Sequence, residues 1–157
     1  GGDETTLGYL LASFAGGALA GSVFLIFWRN QTSPSRLMII WAVIWHLFLI
    51  AFAQSQSLPY AMAMQFGAGL SQSLSMVSLA LMLLQTADVR LRGRVMGVRM
   101  MAIYSLPLGL MSAGALIQQF GFPAVATGYT AMGLLVTILI ATAWRRSVWL
   151  KGAMGPV

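Results

Sequence analysis

The 157 residues contain no cysteine, only three carboxylates and one histidine. Without cysteine there can be no disulfide framework, thiolate metal site or cysteine nucleophile. The shortage of acids removes most enzyme chemistry. Asp3 and Glu4 stand together in the N-terminal tail and Asp88 lies far along the chain, so no two carboxylates can approach one bond from opposite sides. His46 has no second nitrogen, sulfur or acidic ligand within a helical turn or two, so no metal centre is expected. The chain is read as a non-enzyme, with no catalytic residue, cofactor or metal ligand assigned. Charge of either sign is scarce: 8% of residues are charged and 59% are hydrophobic, whereas a soluble domain carries about 25% charged residues. With a mean hydropathy of +0.82, water cannot be the solvent for most of the chain. The net charge of +6 would suggest nucleic acid only if the basic residues formed one face of a soluble module. They fall between apolar runs instead, so no nucleic-acid partner is expected.

Long uncharged runs are what the chain has in abundance. Thr5 to Trp28 is a run of about 24 residues, and at ~1.5 Å per residue it exceeds the ~30 Å of bilayer hydrocarbon. Leu37 to Ala87, about 51 residues, and Met100 to Trp144, about 45, are each long enough for two spans and a turn. Gln54-Ser55-Gln56-Ser57-Leu58-Pro59 supplies the first turn, because Pro59 disfavours helix in the residue before it. Gln118-Gln119-Phe120-Gly121-Phe122-Pro123 supplies the second, with Gly121 able to take positive φ and Pro123 suited to a first helical turn. Five spans follow, at approximately 5–28, 37–53, 60–84, 95–117 and 123–144. They are expected to be helices, because backbone amides in hydrocarbon must be satisfied within the segment and no barrel-like alternation is present.

All the basic residues fall after spans one, three and five: Arg29 and Arg36, then Arg90, Arg92, Arg94 and Arg99, then Arg145, Arg146 and Lys151. The connections at 54–59 and 118–123 carry no charge. This bias places loops 29–36 and 85–94 and the tail 145–157 in the cytoplasm, with the N-terminal tail outside a plasma (inner) membrane. The opening Gly1-Gly2-Asp3-Glu4 has neither an initiator methionine nor the basic n-region of a secretory signal, and it reads as cut from something longer.

Inside the spans, polar and small residues are the informative ones. His46 lies mid-span, where it is either a proton or substrate ligand or a neutral imidazole that hydrogen-bonds a neighbouring helix, flanked by Trp41 and Trp45; the second reading is preferred. Gln65, Gly69, Gln72 and Met76 recur at steps of four, three and four and share one helical face, with Ser71, Ser73, Ser75 and Ser78 adding hydroxyls. Such a face should be buried, facing either a water-filled path or another helix. Ser13, Gly17 and Gly21 at four-residue steps, beside Ala12, Gly16 and Ala20, should let a second backbone approach closely. Pro107 and Gly109 should bend the fourth span. Asp88 and Arg92 have the spacing and order of a helical ion pair.

Arg92-Gly93-Arg94-Val95-Met96-Gly97, followed by Leu106-Pro107-Leu108-Gly109 and Gly114-Ala115-Leu116, resembles the cytoplasmic loop and eleventh helix of major facilitator superfamily transporters. The order and spacing are similar to the enterobactin-exporter and drug-efflux branch, and Gly8 to Gly21 looks like the family's eighth helix. The segment from Trp28 to Arg36 departs from the family's acidic and basic gating motif, since it keeps Arg29 and Arg36 but has no aspartate. The resemblance implies an all-α polytopic bundle, helices eight to twelve of a twelve-helix fold, with the N-terminal half missing. It implies a secondary transporter that exports small amphipathic molecules by alternating access, proton-coupled at full length. By the same resemblance the third and fourth spans line the cavity, with Gln65, Gln72, Tyr104 and Ser105 as substrate contacts. Arg92, Gly93 and Arg94 lie at the cytoplasmic gate, and spans two and five are peripheral. The partners it implies are a small-molecule substrate, the lipid bilayer and the missing half. The competing reading is a stand-alone structural or assembly subunit of a membrane complex without transport activity.

Overall fold

Four of the five prolines stand in the first turn of a helix, and they mark out much of the architecture. In the computed structural model, which describes residues 3–27, 33–88, 90–104 and 106–143, six helices follow one another. They are α1 (Glu4–Phe27), α2 (Pro34–Ala53), α3 (Leu58–Thr86), α4 (Arg92–Tyr104), α5 (Leu106–Phe120) and α6 (Phe122–Ala143). Pro34, Pro59, Pro107 and Pro123 open α2, α3, α5 and α6. A missing N–H costs nothing in the first turn, where it would have no intrahelical partner, and the fixed φ suits the helix. Gly121 joins α5 to α6 with φ +79°, and its N–H donates to the Ile117 carbonyl at 2.9 Å. A residue with a Cβ would be strained there. The Asp3 carboxylate caps α1 by accepting from the Thr6 N–H at 2.9 Å and the Thr6 hydroxyl at 2.8 Å. Those two bonds, the backbone one foremost, hold its carboxyl below the ordinary 3.8.

All described regular structure is helical, and α1, α2, α3 and α6 are each long and apolar enough to cross a membrane. They fall on the first, second, third and fifth expected spans. The fourth expected span, 95–117, falls on α4 and α5, which have 13 and 15 residues. At ~1.5 Å per residue neither alone reaches across ~30 Å of hydrocarbon. Residues 28–32 and 144–157, which hold the first half of the first expected cytoplasmic loop and all of the tail, lie outside the described residues.

The third helix is the centre of the bundle. Its Ala61, Ala68, Ser71, Leu74 and Ser78 are buried, because α1 packs on one side of it and α2 on the other, and α6 packs on the far side of α2. Directions follow from the contacts. Gly17 meets Phe66 and Gly21 meets Leu70, so α1 and α3 run parallel. The Ser75 hydroxyl donates to the Met38 carbonyl at 3.0 Å, so α2 opposes α3. Gln54 Nε2 donates to the Thr127 hydroxyl at 2.9 Å while His46 faces Gly133, so α6 opposes α2. The uncharged turns at 54–57 and 121 therefore lie at one end of the bundle. The helix ends that lead into the cationic segments lie at the other. Large apolar side chains such as Leu7, Leu19, Leu135 and Leu139 face outward, as expected where lipid is the solvent.

Candidate functional site

The stripe Gln65, Gly69, Gln72 and Met76 follows the border between α3 and α1. Gly69 is its buried centre: a Cβ there would overlap the Phe14 carbonyl oxygen of α1. Gln65 and Gln72 flank it half-buried, and Met76 is exposed. The expectation of a fully buried face thus holds only at Gly69. Physically, a glycine lets the two backbones touch at one level, and a parallel helix passing at that point leaves its neighbours on the same stripe partly open. Gln65 Oε1 is buried with no hydrogen-bond partner, and an unsatisfied amide oxygen in an apolar surrounding is costly.

The serines of α3 do a different job. Ser71 donates to the Gly67 carbonyl at 2.8 Å and Ser78 to the Leu74 carbonyl at 2.8 Å, both within the helix. Ser75 bonds α2, as above, and the Ser73 hydroxyl meets that of Ser22 on α1 at 2.9 Å. Every one of these hydroxyls is satisfied within the bundle, whereas Gln65 Oε1 is not. Among the proposed contacts on the fourth span, Tyr104 closes α4 and is 78% exposed, while Ser105 lies outside the described residues. The structure brings Gln65 and Gln72 together on one stripe but records no contact from Tyr104 to them.

Arg92, Gly93 and Arg94 form the exposed first turn of α4, at the cationic end of the bundle. The Asp88–Arg92 ion pair expected from the spacing is not formed. Asp88 precedes the helix, its Oδ1 accepts the Arg90 N–H at 3.0 Å, and its own carbonyl accepts the Leu91 N–H at 2.8 Å. The i, i+4 rule applies only where both residues are helical, and a turn lies between these two. The next cation along α4, Arg99, turns inward: Nη2 donates to the Met76 sulfur at 3.9 Å and Nε is buried with no partner. Sequence reasoning counted Arg99 only as part of the basic loop. Its seven-residue offset from the exposed Arg92 gave no signal of this, because the contact is decided by where α3 packs against α4.

His46 is buried between α2 and α6. Its Nδ1 is 2.6 Å from the Ala42 carbonyl oxygen, which can only accept, so Nδ1 carries the proton of that bond. Trp45 packs edge-on against the ring at 4.9 Å. The bonded partner is therefore a turn of its own helix and not the neighbouring helix expected from the sequence, because the Ala42 carbonyl lies one turn back within reach of the ring. Nε2 points at α6, where a Cβ on Gly133 would stand 2.6 Å from it. Gly133→Ala is expected to push the ring out of this seat and loosen α2 from α6, by about 1–3 kcal/mol for an overpacked interface. In the His46→Ala background the same substitution should cost much less. Thermal stability of the four proteins in detergent checks the pair, and equal costs in both backgrounds would refute the contact.

No family model matches the chain, and neither the curated proteins nor the solved structures hold a match to it.

Proposed function

We propose that this chain is the membrane-embedded C-terminal part of a secondary active transporter of the major facilitator type, exporting small amphipathic molecules of the drug or siderophore class by alternating access. The observation that carries the reading is the half-buried Gln65 and Gln72 pair, with Gln65 Oε1 lacking any partner in the protein. Amides within a membrane helix that their own bundle leaves unsatisfied mark a polar path or ligand seat. The arrangement of α4 and α5 supports the same reading. Together they stand for one interrupted span, which makes five in all, and short paired helices meeting near a proline are tolerated where they line a cavity. The one carboxylate within the described helices is Glu4, in the first turn of α1 at the bundle's end, so the coupling proton in this proposal is carried by the other half of the transporter. Gln65, Gln72, Tyr104 and Ser105 contact the substrate, and Arg92, Gly93 and Arg94 form the cytoplasmic gate, in a plasma membrane with the N-terminal tail outside.

In the full-length transporter, Gln72→Ala and Tyr104→Ala are each expected to raise the KM for export about three- to tenfold, the effect of one lost hydrogen bond to a ligand, while membrane insertion is unchanged. Kinetics identical to wild type in both variants would remove the cavity assignment. The reading as a structural or assembly subunit draws on another observation, the seam of glycines that places α1 and α3 backbones in contact. Wild-type assembly of a membrane complex without any transport would favour it.

A further inference from the structure

Arg99 has a cation's problem that the protein does not solve for it. Its side chain is half-buried between α4 and α3, with Nη2 on the Met76 sulfur at 3.9 Å and Nε buried without a partner. A thioether is a weak acceptor and carries no charge. Of the three carboxylates, Asp88 is engaged by the Arg90 N–H, and Asp3 and Glu4 begin α1 at the opposite end of the bundle. No ion pair to Arg99 forms among the described residues. A partly buried cation without a counter-ion is strongly unfavourable, so an anion from outside the chain is called for.

The surroundings say what kind of anion. Val95 and Met96 lie one turn back from Arg99 on the same face of α4 and are half-buried, and on α3 Met76, whose sulfur meets Arg99, is exposed. A free inorganic anion gains nothing from such a surface, whereas an amphiphile gains from both parts. Arg92 lies on the same face of α4, two turns nearer the cationic end, and adds attraction for negative charge. The geometry points to a binding site for an anionic phospholipid. Its phosphodiester oxygens accept hydrogen bonds from Arg99, and an acyl chain lies against Val95, Met96 and Met76. The site rests on the membrane location of the chain and is independent of any transport activity.

The test uses the full chain in detergent, titrated with phosphatidylglycerol and followed by native mass spectrometry. One phosphatidylglycerol should be retained with an affinity at least about tenfold above that for phosphatidylcholine, the effect of charge-assisted bonds. Arg99→Gln should weaken it at least about tenfold. Arg90→Gln removes the same charge from the neighbouring turn and should weaken it less than about fivefold, the diffuse surface effect. Met76→Leu keeps the apolar contact and removes the weak sulfur acceptor, so it should retain the lipid at least as well as wild type. This variant keeps the question open to refutation if Arg99→Gln fails to fold. Equal retention by wild type and a folded Arg99→Gln, equal losses in Arg99→Gln and Arg90→Gln, or a loss in Met76→Leu would each overturn the site. Displacement by millimolar inorganic phosphate would overturn its assignment to a lipid.

Discussion

Replacing Gly17 or Gly69 with alanine is expected to drive α1 away from α3 and cost the protein about 3 kcal/mol or more, the upper range for overpacking. The obstacle is backbone, which cannot step aside. A Cβ on Gly17 would overlap the Phe66 carbonyl oxygen, a Cβ on Gly69 would overlap that of Phe14, and a Cβ on Gly21 would stand 2.7 Å from that of Leu70. In lipid there is little hydrophobic drive to hold two helices together, so close van der Waals contact of this kind is much of what remains. Neighbouring glycines provide the contrast. A Cβ on Gly16 would meet only the Phe66 ring at 3.8 Å, and one on Gly8 would meet nothing within 4 Å. Gly8→Ala should be neutral or stabilise by about 0.5–1 kcal/mol, the gain of alanine over glycine inside a helix. Because the chain has no cysteine, a cysteine pair at Ser22 and Ser73, whose hydroxyls lie 2.9 Å apart, reports the seam directly. Oxidative cross-linking of that pair should be efficient in the parent and lost with Gly17→Ala or Gly69→Ala. Efficient cross-linking and an unchanged melting temperature in both would show that the helices do not meet there.

The second large effect is all-or-none and concerns the sides of the membrane. Ser57→Cys, at an exposed N-cap position that makes no side-chain cap bond, is expected to react with a membrane-impermeant maleimide in intact cells. Leu91→Cys, exposed beside the arginines at the other end, should react only after the cells are opened. The reasoning is electrostatic: connections rich in Lys and Arg stay in the cytoplasm, and uncharged ones are free to cross. Labelling of position 57 solely after permeabilisation would reverse the orientation and take the proposed transporter layout with it.

Helix content was plain in the residues, since uncharged runs of such length permit little else in lipid. So were the turn at Gly121 and the close approach at Gly17 and Gly21, because positive φ and a missing Cβ are local properties. The ion pair at Asp88 was misread because spacing assumed a helix where the chain turns. The stripe at Gln65 and Gln72 was correctly placed on one face, yet its partial exposure depended on where α1 crosses α3, which no property of α3 itself encodes.

Composition and charge order alone required a membrane, helices to fill it, and cations gathered after every second span, because hydrocarbon tolerates neither open backbone nor scattered charge. Folding decided the pairings. It set α3 between α1 and α2, put His46 against Gly133 of α6, and left Arg99 with only the Met76 sulfur and Gln65 Oε1 with no partner. Those outcomes depend on how surfaces far apart in the chain fit against each other, and the contacts that select one fit come from shape in three dimensions.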